Sequence, residues 1–124
     1  MLVNDVGRKN FALPSHPKVT ASTAAQNLLQ LVKAAINAAD TGWGMSANTD
    51  VADDLYAKRG FLFKAGAGND AVIYIGTSSV NNSGDYGIPL AAGESLFIEV
   101  TQASTFWLCG TFGGTTLDMH FLAI

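Results

Sequence analysis

The residues able to do chemistry are few in this chain, and their spacing assembles no reaction centre. His16 and His120 are its two histidines, and neither has a cysteine or second histidine at the spacing a zinc site needs. Asn48, Asp50, Asp53 and Asp54 offer oxygen ligands. They lack the D-x-D-x-D-G order and distal glutamate of a calcium loop, so they read as a capped, solvated turn. The stretch Gly66-Ala67-Gly68-Asn69-Asp70-Ala71 fits G-x-G-x-x-A formally. A dinucleotide fingerprint must open a helix whose N-terminus holds the pyrophosphate, whereas Val72 to Ile75 reads as a strand. We therefore expect a hairpin turn at 66–71. Gly93-Glu94-Ser95 lacks the second glycine of a nucleophile elbow, since position 97 is Phe97. Glu94 and Glu99 follow no pattern of paired catalytic carboxylates. Cys109, the only cysteine, follows Phe106-Trp107-Leu108 and reads as a small buried hydrophobe. The expectation is a non-enzyme with no metal and no cofactor.

Composition narrows the partners. A chain of 124 residues fits one domain with its own core, and 48% hydrophobic residues exclude disorder. Only 14% of residues are charged, below the roughly one quarter usual for a freely soluble surface, which favours burial in an assembly. The net charge of −3 and seven scattered basic residues (Arg8, Lys9, Lys18, Lys33, Lys58, Arg59 and Lys64) argue against nucleic acid or an anionic membrane as partner. No apolar run near the N-terminus has the form of a signal peptide, and no window suits a transmembrane helix. The sequon at Asn81 therefore carries no weight.

The elements that position these residues follow from periodicity. Residues 1–19, with Pro14, Pro17 and no period, read as an extended arm that Phe11 and Leu13 anchor to a neighbour or to the domain itself. Residues 23–40 predict the one helix, with Thr23 and Gln26 at capping-box spacing and an apolar stripe of Leu28, Leu31, Val32, Ala35 and Ala39. Residues 41–58 form a polar excursion in which Trp43, Met45 and Tyr56 are candidate interface anchors, or equally the side chains that tie the loop to its own domain. Strands are predicted at 18–20, 60–65, 71–75, 95–100, 106–109 and 117–124. In the last of these, Leu117, Met119, Phe121 and Ala123 alternate with Asp118, His120, Leu122 and Ile124. About six short strands with one N-terminal helix imply a mainly β fold, a small antiparallel sandwich or barrel-like domain over 20–124.

The stretch organising the chain is residues 71–100, AVIYIGTSSVNNSGDYGIPLAAGESLFIEV. It combines a strand ending in Tyr74-Ile75-Gly76, a polar loop after Val80, the run Gly87-Ile88-Pro89-Leu90 leading through Gly93-Glu94-Ser95, and an alternating strand. This resembles a segment recurring in small structural proteins of tailed bacteriophages. The likeness is sharp over 74–99 and extends loosely over 18–124, with 41–58 resembling an insertion. It implies a virion protein made in the host cytoplasm, most simply a capsid decoration (cement) protein acting by protein–protein contact. The implied partners are the major capsid protein or other virion proteins, with a homo-oligomer, favourably a trimer. A tail, baseplate or head–tail connector component is the alternative within that class. Tyr86, in the shared loop, joins the candidate interface residues. A carbohydrate-binding domain for adsorption is a further alternative, with Trp43, Trp107 and Tyr86 as aromatic platforms, although Trp107 lies in an apolar run that reads as core.

Overall fold

The computed structural model describes residues 18–37, 55–83 and 86–124. Among the described residues the strands are β1 (Lys18–Thr20), β2 (Gln26–Asn27), β3 (Phe61–Ala65), β4 (Ile73–Gly76), β5 (Ile88–Leu90), β6 (Ser95–Ile98), β7 (Trp107–Gly110) and β8 (Asp118–Ala123), and the α-helix is α1 (Leu28–Asn37). They form two antiparallel four-stranded sheets, in the orders β1-β8-β3-β6 (sheet A) and β2-β7-β4-β5 (sheet B). The two orders correspond position for position, because β1 leads into β2, β3 into β4, β5 into β6 and β7 into β8 across the sandwich. Only β4 and β5 are consecutive strands paired in one sheet. This is the strand order of a jelly roll. The sheets do not close into a barrel.

Period-two alternation decides which side chains enter the core. Phe61, Phe63 and Ala65 on β3 are buried, as are Met119, Phe121 and Ala123 on β8, while the residues between them face outward. Phe63 stands opposite Phe121 in the register, and Phe61 opposite Ala123. Phe106 packs edge-on to Phe63 at 5.0 Å and 72°, and to Phe61 at 5.6 Å and 77°. That geometry suits the ring quadrupoles and adds to the area they bury. Ile73, Ile75, Leu90 and Leu108 close the core from sheet B.

The helix begins later than the periodicity predicts. Gln26 and Asn27 pair with Leu108 and Trp107 as a short edge strand, so the Thr23–Gln26 capping box does not form. Asn27 is the cap instead, its Oδ1 accepting the Leu29 N–H at 3.1 Å. Leu28, Leu29 and Val32 then enter the core. The 66–71 segment is also corrected: it carries the chain from sheet A to sheet B and is not a hairpin turn. β5 was masked in the sequence by Pro89, which has no N–H and is accommodated because β5 is an edge strand.

Candidate interaction surface

Of the six candidate interface residues, Phe11, Leu13, Trp43 and Met45 lie outside the described residues. Tyr56 is half-buried and forms an isolated antiparallel bridge with Gln102. Its neighbours Leu55 and Ala57 are core residues, and the Ala57 N–H donates to the Thr101 carbonyl at 2.9 Å. The end of the polar excursion is thereby stitched into the domain.

Tyr86 is 63% exposed. Two contacts anchor described residues of the β4–β5 loop that carries it. Val80 is buried against Gly76 and Gly87; a Cβ on Gly87 would lie 2.7 Å from a Val80 methyl. Asn82 Nδ2 donates to the Thr23 carbonyl at 3.2 Å. Tyr86 and the neighbouring Ile88 are exposed at one end of sheet B.

At the other end of that sheet stands Phe112, 81% exposed, which the sequence reading passed over. The Gly114 N–H donates to the Thr111 carbonyl at 3.0 Å, and Gly113 sits at φ +91°. The result is a type II-like turn with Phe112 at its outward corner. A large aromatic directly before Gly-Gly between two strands was the available signal. Thr111 is clamped by its N–H and hydroxyl, both donating to the Val72 carbonyl at 2.9 Å. The far side of the loop is clamped by Asp70. Its carboxylate accepts from the Thr115 N–H at 3.0 Å, the Thr116 N–H at 3.0 Å and the Thr115 hydroxyl. Asn69 beside it exchanges two bonds with the Asp118 backbone, at 2.8 and 2.9 Å.

These donors, the Thr115 hydroxyl foremost and then the Thr116 and Thr115 N–H groups, hold the Asp70 carboxyl below its ordinary value of 3.8. A carboxylate whose folded pKa is depressed stabilises the fold above its unfolded pKa, and that contribution is lost as the pH falls through the folded value. Melting temperatures measured between neutral pH and the acid limb should therefore fall for the parent chain below about pH 4. Asp70→Asn should start lower at neutral pH and show a shallower acid decline.

On the outer face of sheet B, Cys109 is buried and its thiol donates to the Thr23 carbonyl at 3.4 Å. Burial pushes its pKa up, so little thiolate is available. A disulfide reagent should modify the native protein at least about tenfold more slowly than the unfolded chain; equal rates would contradict that burial. Trp107 departs from its sequence reading. Phe106 and Leu108 point inward, while Trp107 is half-buried on the outer side, opposite Gly76 in the register and diagonal to Tyr74.

The outer face of sheet A is divided into rows. Leu62 stands opposite both Leu122 and Phe97, which makes an apolar row across three strands. Next to it run Lys18, His120, Lys64 and Ser95, and then Thr20 with Asp118. Lys18 and Asp118 form an exposed ion pair at 3.8 Å, of the kind worth about 0–1 kcal/mol. Leu62, Lys64, His120 and Leu122 line a shallow groove floored by Phe121. Among the described residues no three His, Cys, Asp or Glu side chains are grouped to hold a metal ion, and no helix is long and apolar enough to cross a membrane. The chain matches no protein-family model, and neither curated proteins nor solved structures show significant similarity to it.

Proposed function

We propose that this chain is a structural protein of a tailed-phage virion, a capsid decoration (cement) protein that stabilises the assembled head by bridging its subunits. The observation that carries this reading is the presence of large apolar side chains in solvent at both ends of sheet B. Phe112 stands on a clamped turn at one end, and Tyr86 with Ile88 stands on a tethered loop at the other. A cement needs two contact surfaces held at a set separation by a rigid body, and exposed aromatic anchors are the side chains that carry most interface energy. The low charge content and the phage-like pattern of 74–99 support the same reading. The arm and the 41–58 excursion supply further contacts, with Phe11, Leu13, Trp43 and Met45 as their anchors. Binding only the assembled shell stabilises it by mass action, and repetition over a lattice adds avidity.

The test is co-sedimentation of the purified chain with expanded, undecorated capsids, followed by thermal disruption of the shells. Saturable binding that raises the disruption temperature, weakened by Phe112→Ser or Tyr86→Ser, is the expected result. Binding to tails or connectors instead would move the protein to the tail, baseplate or connector alternative. No binding to any virion component would overturn the reading.

One observation favours a second reading, a carbohydrate-binding domain. Trp107 lies on the outer face of sheet B beside Tyr74, where an aromatic ring is available to a sugar face. Glycan binding lost in Trp107→Ala would support it, and no binding at millimolar glycan would remove it.

A further inference from the structure

We infer that strand β6 pairs antiparallel with β6 of a second copy of this chain about a two-fold axis, which joins the two copies of sheet A into one sheet of eight strands. The inference goes beyond the virion reading and does not rest on it.

Among the described residues the two sheets end in four edge strands, and three of these carry a feature that discourages further pairing. β5 contains Pro89, β1 is three residues long with Lys18 exposed on it, and β2 is two residues long. β6 (Ser-Leu-Phe-Ile) has neither proline nor charge. The register identifies its free backbone groups. The Ala65 N–H donates to the Glu94 carbonyl at 2.9 Å, and Leu96 and Ile98 stand opposite Phe63 and Phe61. Even-numbered residues of this stretch therefore bond to β3. Ser95, Phe97 and Glu99 turn their N–H and C=O groups the other way, where no described strand lies. The inward side chains agree. Leu96, Ile98 and Val100 pack on the core yet are only half-buried, whereas Phe61, Phe63, Met119 and Phe121 on the neighbouring strands are buried. A further strand alongside would cover them.

A second copy is the occupant because the strand complements itself. With Phe97 opposite Phe97, Leu96 stands opposite Ile98 and Ser95 opposite Glu99, so inner side chains meet inner ones and outer meet outer. The two Phe97 residues then exchange a pair of hydrogen bonds on the axis, and each Glu99 N–H meets the Ser95 carbonyl of the other copy. The rows of the outer face also continue across the axis. Leu122, Leu62 and Phe97 run on into Phe97, Leu62 and Leu122 of the second copy. Glu99 falls in line with Ser95, Lys64, His120 and Lys18 of the second copy, so it faces a basic row across a single serine. Two strand spacings, about 10 Å between Cα atoms, separate it from that Lys64, within joint reach of the two side chains. Within one chain the same residues stand about 13 Å apart along the strand direction, and neither has an ion-pair partner among the described residues. The contact is isologous, so it closes at two copies.

The experiment is light scattering on the full chain over a range of concentrations, with Phe97→Lys, Glu99→Lys, Lys64→Glu and the double variant Glu99→Lys/Lys64→Glu. The parent should approach twice its monomer mass of 13.0 kDa and no more. Phe97→Lys sets two lysines opposite each other on the axis and should raise the dimer dissociation constant about 30-fold or more. Glu99→Lys and Lys64→Glu should each weaken the dimer about tenfold at low salt, and the double variant should restore it, because opposite charges again face each other across the axis. If Phe97→Lys fails to melt cooperatively, the charge exchange at these two exposed sites decides alone. A monomeric parent, a trimer or larger ring, an oligomer indifferent to Phe97→Lys, or a double variant no tighter than its single parents would each overturn the proposal.

Discussion

Phe63→Ala is expected to cost about 3–5 kcal/mol of stability, the usual range for removing a fully buried phenylalanine ring. Phe63 is 0% exposed and lies in the middle strand pair of sheet A, opposite Phe121 and edge-on to Phe106 at 5.0 Å. The cavity would open among Phe61, Phe106 and Phe121, of which Phe61 and Phe121 sit on strands paired on both sides and relax poorly into it. Domains of this size are stable by about 5–15 kcal/mol, so the variant should be close to unfolding at ambient temperature. Urea unfolding checks this by a lower midpoint at an unchanged slope. Phe97→Ala is the control. Phe97 belongs to the outer row and is partly exposed, so its loss should move stability by less than about 1 kcal/mol. Equal effects from the two substitutions would mean that the inner and outer faces of sheet A have been assigned wrongly.

Gly60→Ala is expected to cost about 3 kcal/mol, at the upper end of overpacking effects, although it adds a single methyl group. A Cβ at this position would collide with the Ile98 carbonyl oxygen and would lie 2.8 Å from Phe97 Cζ and 3.0 Å from Glu99 Cα. Two of these three neighbours are backbone of the adjacent strand and cannot turn aside. Gly60 also holds the end of β8, donating its N–H to the Ile124 carbonyl at 3.2 Å and accepting from the Ile124 N–H at 2.9 Å. The strain should therefore open both flanks of β3 at once. Amide exchange should accelerate at residues 96–98 and 122–124, with the β4–β7 pairing protected as before. A fully stable Gly60→Ala protein would show that β3 and β6 separate here without cost.

How the interaction surface is supported differs from one part to the next. Phe112 and Tyr86 are single exposed rings, but each is mounted on loops tied by specific bonds, Asp70 to Thr115 and Thr116 in one case and Asn82 to Thr23 in the other. On the proposed assembly role, substitutions at the ring should change partner binding without changing stability. Substitutions at the tethers should change both, because an anchor on a loosened loop loses ordering entropy when it binds.

The sequence by itself determined the composition of the core and the two faces of the main strands. Phe61 and Phe63, Met119 and Phe121, and Leu96 and Ile98 alternate with polar or outward neighbours, and a strand's side-chain period of two is a local property legible without knowing the partner strand. The burial of Cys109 was legible from its apolar neighbours Phe106-Trp107-Leu108, and the turn at 91–94 from Gly93. Trp107 was not: four consecutive apolar residues carry no alternation to say which is inward, and only the pairing of Leu108 with Ile75 and of Trp107 with Gly76 turned it outward. The late helix start had the same origin. Gln26 favours a helix locally, yet β7 offers its backbone and that of Asn27 a sheet partner, and that long-range pairing outweighs a weak propensity. Tertiary structure also decided that 66–71 crosses between sheets, that Ile88–Leu90 is an edge strand, and that Phe112 is largely exposed. Strand order and exposure at a turn depend on which distant segments meet, and a local period contains no record of that.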